Sequence, residues 1–186
     1  MKYLIASDIH GAADCCSLLL ERFREEKADK LLLLGDLLYH GPRNALPADY
    51  DTPSVAKQLN AMAAEILCVR GNCDAEVDQM VLDFPIQADY LMLQEGPSLI
   101  FATHGHLYDP GRPPALAGVD VLLTGHTHTP ACELRKGFLY INPGSVSMPK
   151  GGSCRSYMTM ENGHLAWHAL DGTVYMEHQL DYLGEK

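Results

Sequence analysis

Three short apolar runs in the first half of the chain predict buried β-strands. They cover residues 2–7, 30–34 and 66–70. Continuous apolar runs of this length are typical of strands that are covered on both faces, as in a parallel sheet. The stretches between them are long enough to cross from one strand to the next as helices. The chain therefore begins with a predicted parallel sheet whose crossovers are right-handed.

The two connecting stretches have helical signals of their own. Residues 13–26 place apolar and charged side chains on opposite faces of an amphipathic helix. After a long loop over residues 39–52, Thr52 and Pro53 have the pattern of an N-cap followed by proline in the first helical turn. This second helix is expected to run to about Ala64.

Short strands follow one another in the second half of the chain. They are predicted at about 88–94, 98–103, 119–124, 131–135, 138–142, 156–161, 164–170 and 173–180. Turn signals such as Asn162-Gly163 separate them. We expect these strands to form a second, largely antiparallel sheet that packs on the first, with helices outside. The predicted fold is α/β, with two packed sheets flanked by helices in a single domain over residues 1–186, since no linker or repeat interrupts the chain.

Composition narrows the choice of function classes. The chain has 186 residues, 47% hydrophobic and 20% charged, which is ordinary for a globular protein. Its formal charge of −10 argues against an extended nucleic-acid-binding surface, which is normally basic. Because neither a signal peptide nor a membrane-length apolar run is evident, we expect no membrane association and a cytoplasmic location. The six cysteines lack C-x-x-C spacing and are expected to be reduced thiols.

Polar motifs stand where the apolar runs end. They are Asp8-Ile9-His10, Gly35-Asp36, Gly71-Asn72-Cys73-Asp74, Thr103-His104-Gly105-His106 and Gly125-His126-Thr127-His128. Sites in open α/β sheets form beyond the carboxyl ends of the strands, so we expect these loops to meet at one edge. Carboxylates crowded in a cleft lose hydration and repel each other unless a cation neutralises them. The motifs therefore predict a metal site.

The donor types indicate which metals would bind. A mixture of oxygen and imidazole nitrogen suits Mn²⁺, Fe, Co²⁺ or Zn²⁺ better than Ca²⁺, which takes oxygen ligands. Two such ions about 3.5–4 Å apart turn a bridging water into a hydroxide that can attack phosphorus in line. Asp36 is the natural candidate to bridge them, because it lies between the other loops in chain order.

The five motifs, in this order over residues 8–128, resemble those of the calcineurin-like metallophosphoesterase family: D-x-H, G-D, G-N-x-[DE], H-G and G-H-x-H. Within that family, the short length and the Asn142-Pro143-Gly144-Ser145 segment are similar to the small bacterial and archaeal phosphodiesterases of the YfcE type. The resemblance implies a four-layer β-sandwich with flanking helices. It also implies a binuclear centre that prefers Mn²⁺, with Zn²⁺, Fe or Ni²⁺ as alternatives.

The resemblance implies a ligand set for each ion. One would be held by Asp8, His10, Asp36 and His128, and the other by Asp36, Asn72, His104 and His126. The residues expected to take part in catalysis are Asp36, Asn72, Cys73, Asp74 and Arg43. The implied activity is hydrolysis of a small phosphodiester by a metal-bridging hydroxide, without a covalent intermediate.

Cys73 departs from the family pattern, because many members have histidine at this position. That histidine is thought to protonate the leaving group or to stabilise the charged phosphate. A thiol is a weak hydrogen-bond donor and a poor substitute for imidazole as an acid. We therefore expect aryl or otherwise activated diesters to react better than esters with poor alkoxide leaving groups.

Several residues near these motifs have more than one interpretation. His106 orients a ligand, contacts substrate or is structural. Arg43 and His40 lie on the loop after Asp36 and reach phosphate over the pocket, unless Arg43 pairs with a surface carboxylate. Asp74 either binds a ligand or braces its loop, and residues 142–145 are expected to shape the pocket floor through backbone turns.

Two other classes of function remain open from the sequence. One is a protein-assembly scaffold of the retromer-subunit type, and the other is a nuclease of the same superfamily. The complete ligand set favours an enzyme over a scaffold, and the acidic charge speaks against a nuclease. Exposed apolar strands in the second sheet could pair subunits into a homo-oligomer.

Overall fold

Two mixed β-sheets packed face to face form the body of the protein, which is described here by a computed structural model over residues 1–115 and 118–180. The helices are α1 (Ala13–Glu25) and α2 (Thr52–Asn60), with 3₁₀ turns at Ala63–Glu65 and Asp78–Met80. The strands are β1 (Tyr3–Ala6), β2 (Lys30–Leu33), β3 (Ile66–Cys68), β4 (Tyr90–Glu95), β5 (Ser98–Thr103), β6 (Val121–Leu123), β7 (Ala131–Arg135), β8 (Phe138–Asn142), β9 (Ser156–Glu161), β10 (His164–Ala169) and β11 (Val174–Gln179). The predicted α/β class is confirmed.

The parallel unit predicted for the first half is present. Strands β1, β2 and β3 are adjacent and parallel, with Ile5 opposite Leu32 and Leu32 opposite Leu67. Helices α1 and α2 pack on one face of this sheet, where side chains such as Leu19 and Val55 are fully buried against it. Burying each large aliphatic side chain contributes about 1.5–3 kcal/mol, so this layer is a main source of stability.

The prediction that all later strands form one largely antiparallel sheet is wrong. The first sheet has the order β11-β10-β9-β1-β2-β3, so the last three strands extend it. The second sheet has the order β4-β5-β6-β8-β7, and its central strands β5, β6 and β8 are parallel. Alternation and turn signals report only local pairing, whereas β9 pairs with β1 across most of the chain.

A second core lies between the two sheets. Ile5 and Leu32 of the first sheet pack with Ile100 and Leu123 of the second, and all four are fully buried. Trp167, the single tryptophan, donates its indole N–H across the sheets to the Asn142 carbonyl (2.7 Å). The outer face of the second sheet is covered in part by Tyr108, whose ring packs edge-on against Phe101.

Helix α2 differs from its prediction at both ends. Its N-cap is Asp51 rather than Thr52, because the Asp51 carboxylate accepts the Ser54 N–H (3.0 Å). It ends at Asn60 rather than near Ala64. The Asn60 side chain is held by a neighbouring segment: it donates to the Val81 carbonyl and accepts the Asp83 N–H.

Three further features bear on the earlier expectations. All six cysteines are free thiols. Within the described residues, no helix combines the length and apolar character that a membrane crossing requires. Edge strand β4 exposes Tyr90 and Met92, so pairing of subunits through this strand stays a prediction.

Candidate metal centre

The predicted ligands leave their strands through an unusual backbone conformation. Five of them have positive φ: Asp8 (59°), His10 (51°), Asp36 (57°), His126 (67°) and His128 (61°). Elsewhere in the described chain only Lys27 and Asn162 do so without being glycine. The left-handed region costs a non-glycine residue about 1–2 kcal/mol, and such strain is typical of functional sites. Because this conformation is incompatible with an extended strand, each of these ligands lies in the loop that follows its strand.

The first donor group consists of Asp8, His10, Asp36 and His128. His128 Nε2 lies 3.3 Å from both Asp8 Oδ1 and His10 Nε2. His10 Nε2 lies 3.6 Å from Asp8 Oδ1 and 3.6 Å from Asp36 Oδ2. Atoms that bind one ion at about 2.0–2.2 Å lie roughly 3.0–3.5 Å from each other, so the spacing of this group fits a shared cation.

The second donor group consists of Asp36, Asn72, His104 and His126. His104 Nε2 lies 3.5 Å from Asp36 Oδ2, 3.0 Å from Asn72 Oδ1 and 3.2 Å from His126 Nδ1. One oxygen, Asp36 Oδ2, therefore faces both His10 and His104. The other carboxylate oxygen, Asp36 Oδ1, accepts the Cys73 N–H (2.8 Å), which fixes the orientation of the shared carboxylate.

Backbone carbonyls orient three of the four imidazoles. Nδ1 of His10 donates to Tyr39 O (2.7 Å), and Nδ1 of His104 donates to Leu34 O (2.6 Å). Nδ1 of His128 likewise donates to Met148 O (2.6 Å). A ring nitrogen that donates in this way leaves the opposite Nε2 as a lone-pair donor, which is the usual arrangement around protein-bound metals.

The electrostatics of the metal-free centre also fit bound cations. Burial opposes charge on His104, but Asp36 and Asp8 raise its pKa to about 9. Despite burial, the His104 contact holds the pKa of Asp36 well below its ordinary value. Protons on imidazoles thus neutralise the buried carboxylates in the metal-free state. Within the described residues, fully buried Asp8 Oδ1 accepts no hydrogen bond, and a metal ion would satisfy it.

Burial lowers the pKa of His126 and of His128. Both rings are therefore neutral near pH 7, which is the form that binds metal. In His126, unlike the other three histidines, Nδ1 is the ring nitrogen that faces the donor group, and its backbone N–H donates to Asp8 Oδ2 (3.1 Å).

Asp74 braces the site from behind. It is buried, and its carboxylate accepts the backbone N–H groups of Asp36 (2.9 Å), Leu37 (2.9 Å) and Gly71 (2.7 Å). Of the two interpretations left open by the sequence, the structure supports the bracing one. Asp74 is a positioning residue for the shared carboxylate.

Cys73 lies at the centre rather than beside it. Its Sγ falls within 4.8 Å of donor atoms of His10 and Asp36, and Asn72 Nδ2 donates to it (3.2 Å). Burial, followed by the charge of Asp36, raises the pKa of the Cys73 thiol to about 12. A thiol in this state is neither a nucleophile nor an effective acid near neutral pH.

A cleft of about 380 Å³ opens onto both donor groups. Its lining residues are Asp36, Gly41, Pro42, Arg43, Asn44, Asn72, Cys73, His126, His128 and Lys150. The prediction that Arg43 reaches the pocket agrees with this lining. His40 instead packs between the rings of Tyr39 and Tyr50, with centroids 4.8 and 5.4 Å away. Sequence reasoning missed Lys150, whose only signal is its place five residues after the motif at residues 142–145.

Residues 142–145 support the histidine loop. The Asn142 side chain donates to the Gly125 carbonyl (2.7 Å) and accepts the Gly144 N–H (2.8 Å). Ser145 Oγ donates to the Asp8 carbonyl (3.0 Å), so this hydroxyl is structural. His106 lies beside the second donor group, with its ring centroid 5.4 Å from that of His104 and 6.4 Å from that of His126.

Residues 1–163 match the family model of the calcineurin-like phosphoesterase superfamily domain. The chain belongs to the calcineurin-like phosphoesterase superfamily. The resemblance of its five motifs is therefore confirmed, and the candidate centre is that of a phosphoesterase fold.

Curated and solved relatives agree with this membership. The chain is 48% identical to phosphodiesterase YfcE of Escherichia coli K12 over 171 residues, covering 92% of this chain and 93% of that protein. The structure of the E. coli phosphoesterase Yfce superposes with a TM-score of 0.93 at 46% identity, covering 97% and 100% of the two chains. Zinc-bound Vps29 of Entamoeba histolytica has a TM-score of 0.63 at 22% identity, covering 96% and 99%, and this similarity concerns the fold alone.

Proposed function

We propose that this phosphoesterase is a metal-dependent phosphodiesterase with a binuclear centre. The observation that carries the proposal is the pair of donor groups that meet at Asp36 Oδ2. Its similarity to phosphodiesterase YfcE over nearly the whole chain supports the choice of diesters as substrates. We propose Mn²⁺ as the preferred ion, as the family resemblance implies, with Zn²⁺, Fe or Ni²⁺ as alternatives that the mixed nitrogen and oxygen donors also suit.

The ligand sets follow the two donor groups. Asp8, His10, Asp36 and His128 would hold one ion, and Asp36, Asn72, His104 and His126 would hold the other. When bound, such a pair of cations activates water and neutralises charge that develops on the phosphoryl oxygens.

The chain's own groups then position the substrate. Asp36 stays fixed by the Cys73 N–H, and Asp74 holds the backbone of Asp36, so the shared carboxylate is preorganised. Arg43 lines the cleft, and its guanidinium can bind non-bridging oxygens of the reacting phosphate.

The site has Cys73, a poor general acid, where the family has the histidine that is thought to protonate the leaving group. Cys73 occupies the position of the family's histidine and has a pKa of about 12, because it is buried beside Asp36. General acid assistance is typically worth about 10²–10⁴-fold in rate. We therefore propose that diesters with good leaving groups, such as aryl diesters, are the substrates that react fastest.

Metal-dependent hydrolysis tests the proposal. The purified chain, first chelated and then given Mn²⁺, Zn²⁺, Ni²⁺ or Mg²⁺ in turn, is expected to hydrolyse bis(p-nitrophenyl) phosphate. Asp36→Ala should lower kcat by about 10³-fold or more, because both donor groups lose their shared oxygen. His164→Gln is the matched control, since His164 is exposed on β10, and it should retain full activity.

The same assay separates the alternatives. A chain that binds Mn²⁺ but hydrolyses neither diesters nor monoesters would contradict the proposal and favour the scaffold. Faster cleavage of single-stranded DNA than of small diesters would favour the nuclease. Activity that survives in Asp36→Ala would overturn the assignment of the centre.

A further inference from the structure

The cleft concentrates positive charge in a protein whose overall charge is −10. Arg43 and Lys150 both line it, and Asp36 is the one acidic residue among the lining residues. Asp36 is already engaged with His10, His104 and the Cys73 N–H. The two cationic side chains therefore face the cleft without a carboxylate beside them in its wall.

The loops that carry these two cations are pinned to the donor groups by their backbones. Tyr39 O accepts from His10, and a Cβ added to Gly41 would lie 3.2 Å from Cys73 Sγ, so the segment before Arg43 packs on the site. The Lys150 N–H donates to the His128 carbonyl (3.0 Å). The backbone that carries each cation is thus anchored at the cleft rim.

Lys150 sits on a tightly bonded turn. Its carbonyl accepts both the backbone N–H (3.1 Å) and the hydroxyl (2.7 Å) of Ser153. Two residues earlier, Met148 O accepts from His128 Nδ1. The backbone of this turn therefore serves the metal centre, whereas the Lys150 side chain is exposed.

Neither Arg43 nor Lys150 forms an ion pair within residues 1–115 and 118–180. Four other cations are paired there: Lys2 with Glu26, Arg22 with Glu25, Arg70 with Glu76 and Arg135 with Glu133. Among the unpaired cations of the described residues, Arg43 and Lys150 are the two that line the cleft, where they can contact an anionic ligand.

One phosphodiester does not need all of this charge. It carries a single negative charge, which the proposed cations and Arg43 already meet. We infer that Lys150 binds a second anionic group of the substrate, so that the preferred substrates are phosphodiesters with an additional phosphate or similar group. This inference rests on the proposed function and makes Lys150 a residue that determines specificity.

A matched pair of substrates tests the inference. Thymidine 5′-(p-nitrophenyl phosphate) and its 3′-phosphorylated counterpart share the reacting bond and the leaving group. The wild-type protein with Mn²⁺ should show a KM about 10-fold lower for the phosphorylated substrate, because a contact of about 1.4 kcal/mol corresponds to tenfold in binding.

Variants assign the effect to one side chain. Lys150→Gln should reduce the KM preference to about twofold or less, with kcat on both substrates within about twofold of wild type. Lys150→Arg should keep the preference. Lys136→Gln is the control, because Lys136 is exposed in the turn between β7 and β8, at the edge opposite the site. Arg43→Gln should raise the KM of both substrates by the same factor.

A binding measurement provides a readout apart from turnover. Calorimetry should show that thymidine 3′,5′-bisphosphate binds about 10-fold more tightly than thymidine 5′-monophosphate to the wild type. The ratio should fall at high salt, since an exposed contact is screened, and should collapse in Lys150→Gln.

The outcomes distinguish a failure of the proposed role of Lys150 from a failure of the proposed phosphodiesterase activity. No preference in the wild type, or a preference that survives in Lys150→Gln, would overturn the role of Lys150 while leaving a phosphodiesterase in place. Hydrolysis of neither substrate with any metal would overturn the proposed function, and the calorimetric ratio would still decide the anion site.

Discussion

Individual residues at the centre each combine a coordinating atom with a support that fixes it. His10, His104 and His128 donate Nδ1–H to carbonyls, and Asp36 receives the Cys73 N–H. Asp8, His10, Asp36, His126 and His128 adopt positive φ, and this strained conformation directs their side chains towards one point. Preorganised donors do not have to rearrange when a cation or substrate arrives.

The residue that most limits the range of substrates is Cys73. A Cys73→His variant should gain about 10- to 100-fold in kcat on dialkyl phosphodiesters, because an imidazole can protonate a poor leaving group. Its activity on aryl diesters should change by less than about threefold. Initial rates on matched alkyl and aryl substrates measure this.

Cys154→His serves as the control for the added imidazole, since Cys154 is exposed and outside the cleft lining. If Cys73→His gains nothing on any substrate, Cys73 does not occupy the place of the missing acid.

At the scale of elements, the site depends on how closely the strand ends approach each other. A Cβ on Gly71 would overlap both Asp36 Oδ1 and the Asp36 backbone nitrogen, and one on Gly125 would lie 3.1 Å from Asp8 Oδ2. Glycine at these positions allows the loop after β3 and the loop after β6 to touch the two carboxylates. The spacing of the loops therefore requires that Gly71 and Gly125 have no side chain, because the Asp36 and Ser7 side chains lie where a Cβ would be.

Gly71→Ala should displace Asp36 and lower phosphodiesterase activity by about 10-fold or more. Overpacking of this kind also costs about 1–3 kcal/mol of unfolding free energy. Urea unfolding and initial rates measure the two effects.

Gly137→Ala is the matched control. Gly137, unlike Gly71, has positive φ (93°), and nothing lies within 4 Å of an added Cβ. It should lose about 1 kcal/mol through strain alone and keep its activity. Equal loss of activity in both variants would contradict the packing argument.

At the scale of the whole molecule, the centre ties together segments from residue 8 to residue 128. Such a site does not exist in the unfolded chain, so cations that bind it stabilise the folded state by mass action. Without them, stability depends on the protons that imidazoles hold beside Asp8 and Asp36.

The metal-free protein should therefore become less stable as pH rises. The folded pKa of His104 is raised from 6.5 to about 9, so its stabilising contribution is complete below pH 6.5 and is lost as pH rises towards about 9. The raised pKa of His10 acts in the same direction. Thermal unfolding in chelator across this range should show a falling Tm.

Two comparisons check the cause of this pH dependence. His104→Gln should flatten it, and Mn²⁺ added at pH 7 should raise the Tm of the wild type. A Tm of the metal-free protein that stays level or increases from pH 6.5 to 9 would contradict the assignment.

Sequence alone determined the local chemistry and the first sheet. Apolar runs and an amphipathic helix sufficed for β1-α1-β2-α2-β3, because parallel crossovers leave few topologies. The five motifs were sufficient to identify the family, which the match over residues 1–163 confirms. Periodicity reports which residues are buried and where elements end, and both are properties of neighbouring positions.

Tertiary structure alone decided which distant segments meet. The pairing of β9 with β1, the bracing of the Asp36 loop by Asp74 and the approach of Lys150 to the cleft all join segments far apart in sequence. Nothing local encodes such contacts, since they follow from how the sheets stack and where each loop is fixed. The sequence determines which donor atoms are present, but the fold determines the distances of 3.0–3.6 Å between them.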